Sequence, residues 1–240
     1  MKFKIKNHIV FEDDHLIVVN KPANLLVIPD RAGVNTNLKV LLETYIKQDI
    51  FIVHRLDKAT SGLVVFEKNA VAHQKLNQQF QQRTVIKKYY ALVNGRLKED
   101  KGDIELPLTI KSNASKTVVD LKGGKPSHTS YEVIDTFSRY TLLDITLHTG
   151  RMHQIRVHFA GIGHPLAIDS LYGENEAIYL SSIKRNYRLG KGAEERPLMN
   201  SLTLHSYFLA FEHPETRATL TNKIDMPKNF RVLLNKLGDV

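Results

Sequence analysis

Short apolar runs, many of them β-branched, alternate along this chain with polar turns and with a few stretches of helical period. Ile9-Val10-Phe11, a polar turn at Glu12 to His15 and Leu16 to Asn20 predict an opening hairpin. Pro22 ends the second of these strands, and Asn24 suits a left-handed turn. Leu38, Leu41, Leu42 and Tyr45 form one helical stripe, capped by Asn37 or Thr36 and running to about Lys47. Phe51 to Val53 and Leu63 to Phe66 read as buried strands flanking a polar loop. Asn69 caps a second helix with Ala72, Leu76 and Phe80 on one face. Strands come next at Thr84 to Ile86 and Lys87 to Gly95, the latter setting Tyr89, Ala91 and Val93 on one side. Further strands are predicted at 130–137, 140–147, 202–211 and 218–220, then a closing helix through Phe230, Leu233, Leu234 and Leu237. Helices and strands do not alternate strictly. The pattern therefore favours an α+β fold, a mixed and largely antiparallel sheet with flanking helices. No repeat or linker divides the chain, so a single domain over 1–240 is expected.

Two polar segments interrupt the pattern. Residues 111–127 carry Lys111, Lys116, Lys122 and Lys125 around Gly123-Gly124 and read as a basic hairpin arm suited to phosphates. Residues 174–197 form a long insertion with Lys184, Arg185, Arg188, Lys191 and Arg196, a kind of loop that is usually functional or loosely ordered. Gly190-Lys191-Gly192 is too short for a phosphate loop.

Chemistry concentrates in two places. The loop between the paired strands holds His54, Arg55, Asp57, Lys58, Thr60 and Ser61. Cations around a lone carboxylate favour its charged form, and a charged carboxylate can act as nucleophile or base. For an average loop aspartate a salt-bridged surface turn is the commoner outcome. The second place is Thr149-Gly150-Arg151-Met152-His153-Gln154-Ile155-Arg156-Val157-His158-Phe159-Ala160-Gly161, read as a helix entered through Gly150 and stopped by Gly161. Arg156 falls within its apolar stripe of Met152, Ile155 and Phe159. A guanidinium there needs a carboxylate partner, and Asp57 is the proposed one. His148, His153, His158 and His164 raise a metal alternative, but His153 and His158 point ~140° apart around a helix. No metal-binding spacing, nucleophile elbow or dinucleotide fingerprint occurs, so no metal and no cofactor are expected.

Composition adds a partner. With 34 Lys+Arg against 25 Asp+Glu, the formal charge of +9 points to a polyanion such as nucleic acid. Cysteine is absent, which leaves no disulfide or thiolate site and fits a reducing, cytoplasmic setting. The first residues lack a signal-peptide core, and no apolar run reaches the ~20 residues of a membrane span.

His54-Arg55-Leu56-Asp57 followed by Thr60-Ser61-Gly62-Leu63 resembles the signature of the RluA-type pseudouridine synthases. Gly150-Arg151-x-His153-Gln154-Ile155-Arg156-x-His158 is similar to that family's second block. Gly163 to Leu166, Asp169 and Leu171-Tyr172-Gly173 resemble the segment after it. Lys87-x-Tyr89-x-Ala91-x-Val93-x-Gly95 resembles its tyrosine strand, and Val19-Asn20-Lys21-Pro22-Ala23 its opening. Lys125 and Thr129 match its arm, and Leu204-His205 its last block.

The resemblance implies isomerisation of uridine to pseudouridine in ribosomal or transfer RNA, with the target base flipped out. It implies Asp57 as the catalytic carboxylate, Arg156 as its partner and Tyr89 stacked on the base. Arg55 would enter the RNA stack. His54, Thr60, Arg151, His153 and Gln154 would line the substrate. The expected state is a monomer acting on structured RNA, with no membrane partner and no N-terminal S4 domain. Departures from the family pattern fall at Asn24, Ile168, Pro126-Ser127 and Ser201, where they bear on substrate recognition rather than on Asp57. Two rival readings stand beside this one. The first is a non-catalytic RNA-binding or ribosome-assembly protein on the same scaffold. The second is a hydrolase pairing Asp57 with Glu67 or Asp169.

Overall fold

The computed structural model describes residues 4–29, 36–111, 116–190 and 192–239. The arm's tip at 112–115 and Lys191 lie outside the described residues. In chain order the strands are β1 (Ile9–Glu12), β2 (Leu16–Lys21), β3 (Ser61–Glu67), β4 (Ile86–Asn94), β5 (Lys101–Ile104), β6 (Leu108–Ile110), β7 (Thr117–Val119), β8 (Thr129–Thr136), β9 (Tyr140–Leu147), β10 (Leu204–Glu212) and β11 (Thr219–Lys223). The helices are α1 (Leu38–Ile46), α2 (Ala70–Gln82), α3 (Gln154–Gly161), α4 (Leu180–Ile183) and α5 (Lys228–Gly238). The chain divides into two compact units, Met1–Lys88 with His205–Ile224 and Tyr89–Leu204 with Asp225–Val240.

The first unit is built on β3, all seven of whose residues are buried. A strand covered on both faces needs a continuous apolar run, which Leu63 to Phe66 supply. It pairs antiparallel with β2, and β2 with β1 as the expected hairpin. On its other side β10 runs parallel, with His205 opposite Ser61 and Ser206 opposite Gly62. β11 continues antiparallel beyond β10. The sheet is thus mixed and mainly antiparallel. Leu16, Val18, Leu63, Val65, Leu76, Leu209 and Phe211 pack into one core, with Phe80 and Val53 at its margin. Each such side chain contributes about 1.5–3 kcal/mol by leaving water. Asn37 and Asn69 cap α1 and α2 by accepting from the Val40 and Ala72 amides at 3.2 and 2.9 Å. The strand expected at Phe51 to Val53 is only a single bridge from Phe51 to Glu67. Val53 instead turns its side chain into the core beside α2.

In the second unit the strand order is β4-β9-β8-β5. β8 pairs antiparallel with both neighbours. Phe137, Tyr140, Leu142, Ala167, Ile168 and Leu92 form a core that α5 closes with Phe230, Leu233 and Leu237. The insertion is anchored here, because Ile178 and Met199 bridge to each other and are only 2% and 4% exposed. The arm is the β6–β7 ladder, extended by a bridge from Leu108 to Lys125. α3 begins at Gln154, one turn later than the sequence suggests. His153 takes a left-handed turn (φ 56°), and the Gln154 side chain accepts from the Arg151 amide, so the chain before Gln154 is spent in a hydrogen-bonded turn. Among the described residues, no helix is long and apolar enough to cross a membrane.

Candidate active site

In the first unit the polar loop hangs between Val53 and β3. Its end is fixed by a close approach of backbone to backbone. Gly62 has φ +114°, and a Cβ placed there would lie 2.1 Å from the Ser206 carbonyl oxygen, so only glycine fits. Beside it, the Ser61 hydroxyl and His205 Nδ1 are hydrogen-bonded at 2.8 Å in the interior. The Thr60 amide donates to the Asp57 carbonyl at 3.1 Å, closing a turn around the aspartate. Asp57 is half-buried and Arg55 exposed, and Thr60 is 2% exposed.

Lys21, at the end of β2, is fully buried. Its ammonium donates to the carbonyls of Pro22, Leu25 and Lys58 at 3.0, 2.8 and 3.0 Å. One cation therefore ties the opening turn to the residue after Asp57. Burial drives its pKa down to about 7, while the charge of Asp57 works in the other direction. Nothing in the hydrophobic pattern singles out Lys21. A lysine ending a buried strand immediately before proline is the available signal.

His54 is turned inward. Its Nε2 accepts from the Val65 amide at 3.0 Å, and its ring stacks on Phe80 with centroids 4.7 Å apart. Burial, with Lys87 nearby, lowers its pKa to about 3, so the ring stays neutral and acts as an acceptor. Its polar edge therefore serves the β3 backbone.

The second unit holds Tyr89, on β4 and 5% exposed, and the residues around α3. Arg156 is 6% exposed, and its Nε and one terminal nitrogen donate to the two Asp169 oxygens at 2.8 and 2.7 Å. This two-pronged pair is the carboxylate partner that a buried guanidinium requires. Burial works against the Asp169 charge. The Arg156 guanidinium and the Leu171 and Tyr172 amides outweigh that effect and hold its carboxyl below the usual range. Helical spacing does not reveal the pair, because Asp169 lies outside the helix and past an irregular turn.

Tyr172 is the other residue that spacing does not reveal. Its hydroxyl accepts from the Thr117 amide at 2.8 Å and is hydrogen-bonded to His153 Nδ1 at 2.8 Å. Arg156 and Lys116 both lie over its ring, at 5.0 and 5.2 Å. Lys116 also donates to the Leu171 carbonyl, so the arm is tied down at its base. Gln154 is saturated within the protein. Its carbonyl accepts from Thr149 and from the Arg151 amide, and its amide donates to His128 and Thr129. Arg151 donates to the Pro126 carbonyl at 3.4 and 3.2 Å. These bonds lace the base of the arm to the entry of α3.

Three of the four histidines weighed as metal ligands have other partners: His153 engages Tyr172, His158 the Leu106 carbonyl and Ser127, and His164 the Asn94 carbonyl. The fourth, His148, does meet other candidate ligands. Ligand atoms of Asp103, His128 and His148 lie within 4.8 Å of one another, with the two rings stacked.

Neither carboxyl weighed for the hydrolase reading is offered to Asp57. Glu67 ends β3, six strand residues or roughly 20 Å beyond Ser61, where the Asp57 loop joins the strand. Paired carboxylates work at about 5–9.5 Å. Asp169 has both oxygens committed to Arg156.

Comparison with known proteins places the chain in a family. The RNA pseudouridylate synthase family model matches residues 15–161, more than half of the chain. A ribosomal large subunit pseudouridine synthase D of Nitrosomonas europaea is 38% identical over 237 residues, covering 97% of this chain and 65% of the relative. The dual-specificity RNA pseudouridine synthase RluA of Vibrio parahaemolyticus is 38% identical over 216 residues, covering 87% of this chain and 78% of the relative. The chain thus spans just under two thirds of the first relative's length and more of the second's. The solved structure of human RNA pseudouridylate synthase domain containing 4 superposes with a TM-score of 0.74 at 23% identity, covering 98% of this chain and 94% of that one.

Proposed function

The chain belongs to the RNA pseudouridylate synthase family, and we propose that it isomerises specific uridines of ribosomal RNA, transfer RNA or both, with Asp57 as the catalytic carboxylate. The observation that carries this reading is the anchoring of the Asp57 loop. The loop is fixed by Gly62 against Ser206 on one side and by Lys21 on the Lys58 carbonyl on the other. A carboxylate held this way is positioned before substrate arrives, which is what a reacting group requires.

In the reaction the glycosidic C–N bond breaks, the base turns, and a C–C bond forms to the same sugar. Asp57 acts at the sugar or at the base, as nucleophile or as base. Arg156 is assigned, from the family resemblance, to orienting it. Tyr89 stacks on the everted uracil, and Arg55, exposed beside Asp57, fills the gap in the RNA. Arg151, His153 and Thr60 complete the binding surface, while His54 and Gln154 contribute by holding its backbone in place. The surplus of cations supplies affinity for phosphates. The enzyme needs no cofactor, works as a monomer and acts in the cytoplasm, where the RNAs are.

Mapping pseudouridines in total RNA, from cells with the wild-type gene, with Asp57→Asn or with neither, tests the reading. The expected result is one or more sites present only with wild type, while the purified Asp57→Asn protein keeps its fold and its affinity for RNA. A ribosome-assembly role predicts instead that Asp57→Asn complements fully.

A further inference from the structure

A cavity in the second unit is lined by none of the residues given a catalytic role above. Its walls are the β8–β9 turn, the insertion around α4 and the end of α5, and its volume is roughly 380 Å³. That is within the range of small-ligand sites, about 300–1,000 Å³. The floor is apolar. Phe137, Tyr140 and Leu237 are 9%, 8% and 7% exposed and belong to the unit's core, and Ile183 packs against them.

The rim has a different character. Arg139 stands at the tip of the turn, and Lys184 and Arg185 come directly after α4, all three exposed. Among the described residues no carboxylate lies within ion-pair distance of these three cations. Elsewhere on the surface several cations are paired, such as Lys101 with Glu132 and Arg217 with Glu212. The backbone beneath the rim is held firmly. The Phe137 amide donates to the Tyr140 carbonyl, and the Gly95 amide to the Arg139 carbonyl, both at 2.8 Å. The Lys184 amide closes α4 on the Leu180 carbonyl at 2.8 Å. One acid stands at the wall, Glu195, which accepts from the Ser181 amide.

We propose that this pocket holds a nucleotide of the RNA substrate away from the target uridine. Its phosphates meet Arg139, Lys184 and Arg185, and its sugar and base lie over the apolar floor. An apolar floor accepts any base face, and cations on the rim bind a backbone without reading sequence. Apart from the Tyr140 hydroxyl, no buried polar group lines the cavity to orient a small free ligand, whereas a polymer held elsewhere needs only added weak contacts here. The insertion is then a second grip on the RNA, and it contributes affinity rather than chemistry. This inference rests on the proposed RNA-modifying function.

The test compares wild type with the triple variant Arg139→Ala, Lys184→Ala, Arg185→Ala, using a transcript that contains the mapped uridine. KM is expected to rise about tenfold or more with kcat within twofold. The slope of log K against log salt is expected to become shallower by about two to three, near one per phosphate contact. Unchanged KM and salt slope overturn the proposal. So does a fall in kcat at constant KM, or binding of AMP at the pocket with RNA affinity untouched in the variant. Photo-crosslinking of wild type to 4-thiouridine transcript gives an answer even if the variant misfolds. Adducts are expected on peptides containing 137–140 or 181–185, and their absence counts against the site. A wild-type protein that forms no pseudouridine sinks the parent reading instead, so the two failures are distinct.

Discussion

Residues buried with a charge, or with the means to carry one, divide here by whether a partner is present. Arg156 and Asp169 meet in full, and Lys21 finds three carbonyls. Glu67 does not. It is fully buried, one carboxyl oxygen has no partner, and the other lies 3.3 Å from His73 Nδ1. Burial lifts its pKa to about 9, so it is a neutral acid over the physiological range. The unfolded value is about 4.3. The native state therefore holds a proton that the unfolded chain has lost between those limits. This contribution to stability is complete below pH ~4 and declines as pH rises toward 9. Glu67→Gln keeps the shape without the titration. It is expected to match wild type near pH 4.5 and to exceed it increasingly up to pH 8.5, by up to about 1.4 kcal/mol per pH unit. Urea midpoints of the two proteins across that range measure it, and a gap that does not change with pH would refute it.

At the scale of elements, the hydrophobic pattern reveals strands and helices far better than the polar contacts that position them. β9 begins and ends where its apolar run does, and Asn37 and Asn69 cap the helices expected of them. Those features are local. The pairing of β3 with β10 joins residues more than 140 positions apart, and its only trace in the sequence is a glycine and a histidine. The start of α3 departs from the helical period for a similar reason. That period continues through Met152, but the Gln154 side chain draws the preceding amides into a turn. Asp57 and Arg156 are legible as chemistry, and the clamps around them, Lys21, Asp169 and Tyr172, act across irregular backbone that no period describes. The β3–β10 contact also gives the sharpest element-level prediction. Gly62→Ala adds a methyl 2.1 Å from the Ser206 carbonyl oxygen, at a φ that other residues avoid. Backbone on both sides cannot move without breaking the pairing. A loss of more than about 4 kcal/mol is expected, or no soluble protein, read by thermal unfolding of purified variant. A variant as stable as wild type would show that the two strands can part without loss.

For the whole molecule, the absence of a recognisable linker has a structural cause. The chain leaves the first unit between Lys88 and Tyr89, within β4, and returns at His205, within β10. A boundary inside a strand carries no glycine, proline or polar run to mark it, so the sequence reads as one domain. The first unit is consequently incomplete until residues 205–224 have been made. Without them β3 loses its neighbour on one edge, Ser61 loses its buried His205 partner, and Leu209 and Phe211 are missing from the core. An open strand edge beside exposed apolar surface is a template for association. The segment Met1–Lys88 expressed alone is expected to lack cooperative unfolding and protected amides, and to aggregate at micromolar concentration. Circular dichroism melts and hydrogen exchange test this directly. A fragment that unfolds cooperatively with protected β3 amides would mean that β2 and α2 suffice to hold the Asp57 loop, and that the return strand serves the loop's geometry rather than its stability.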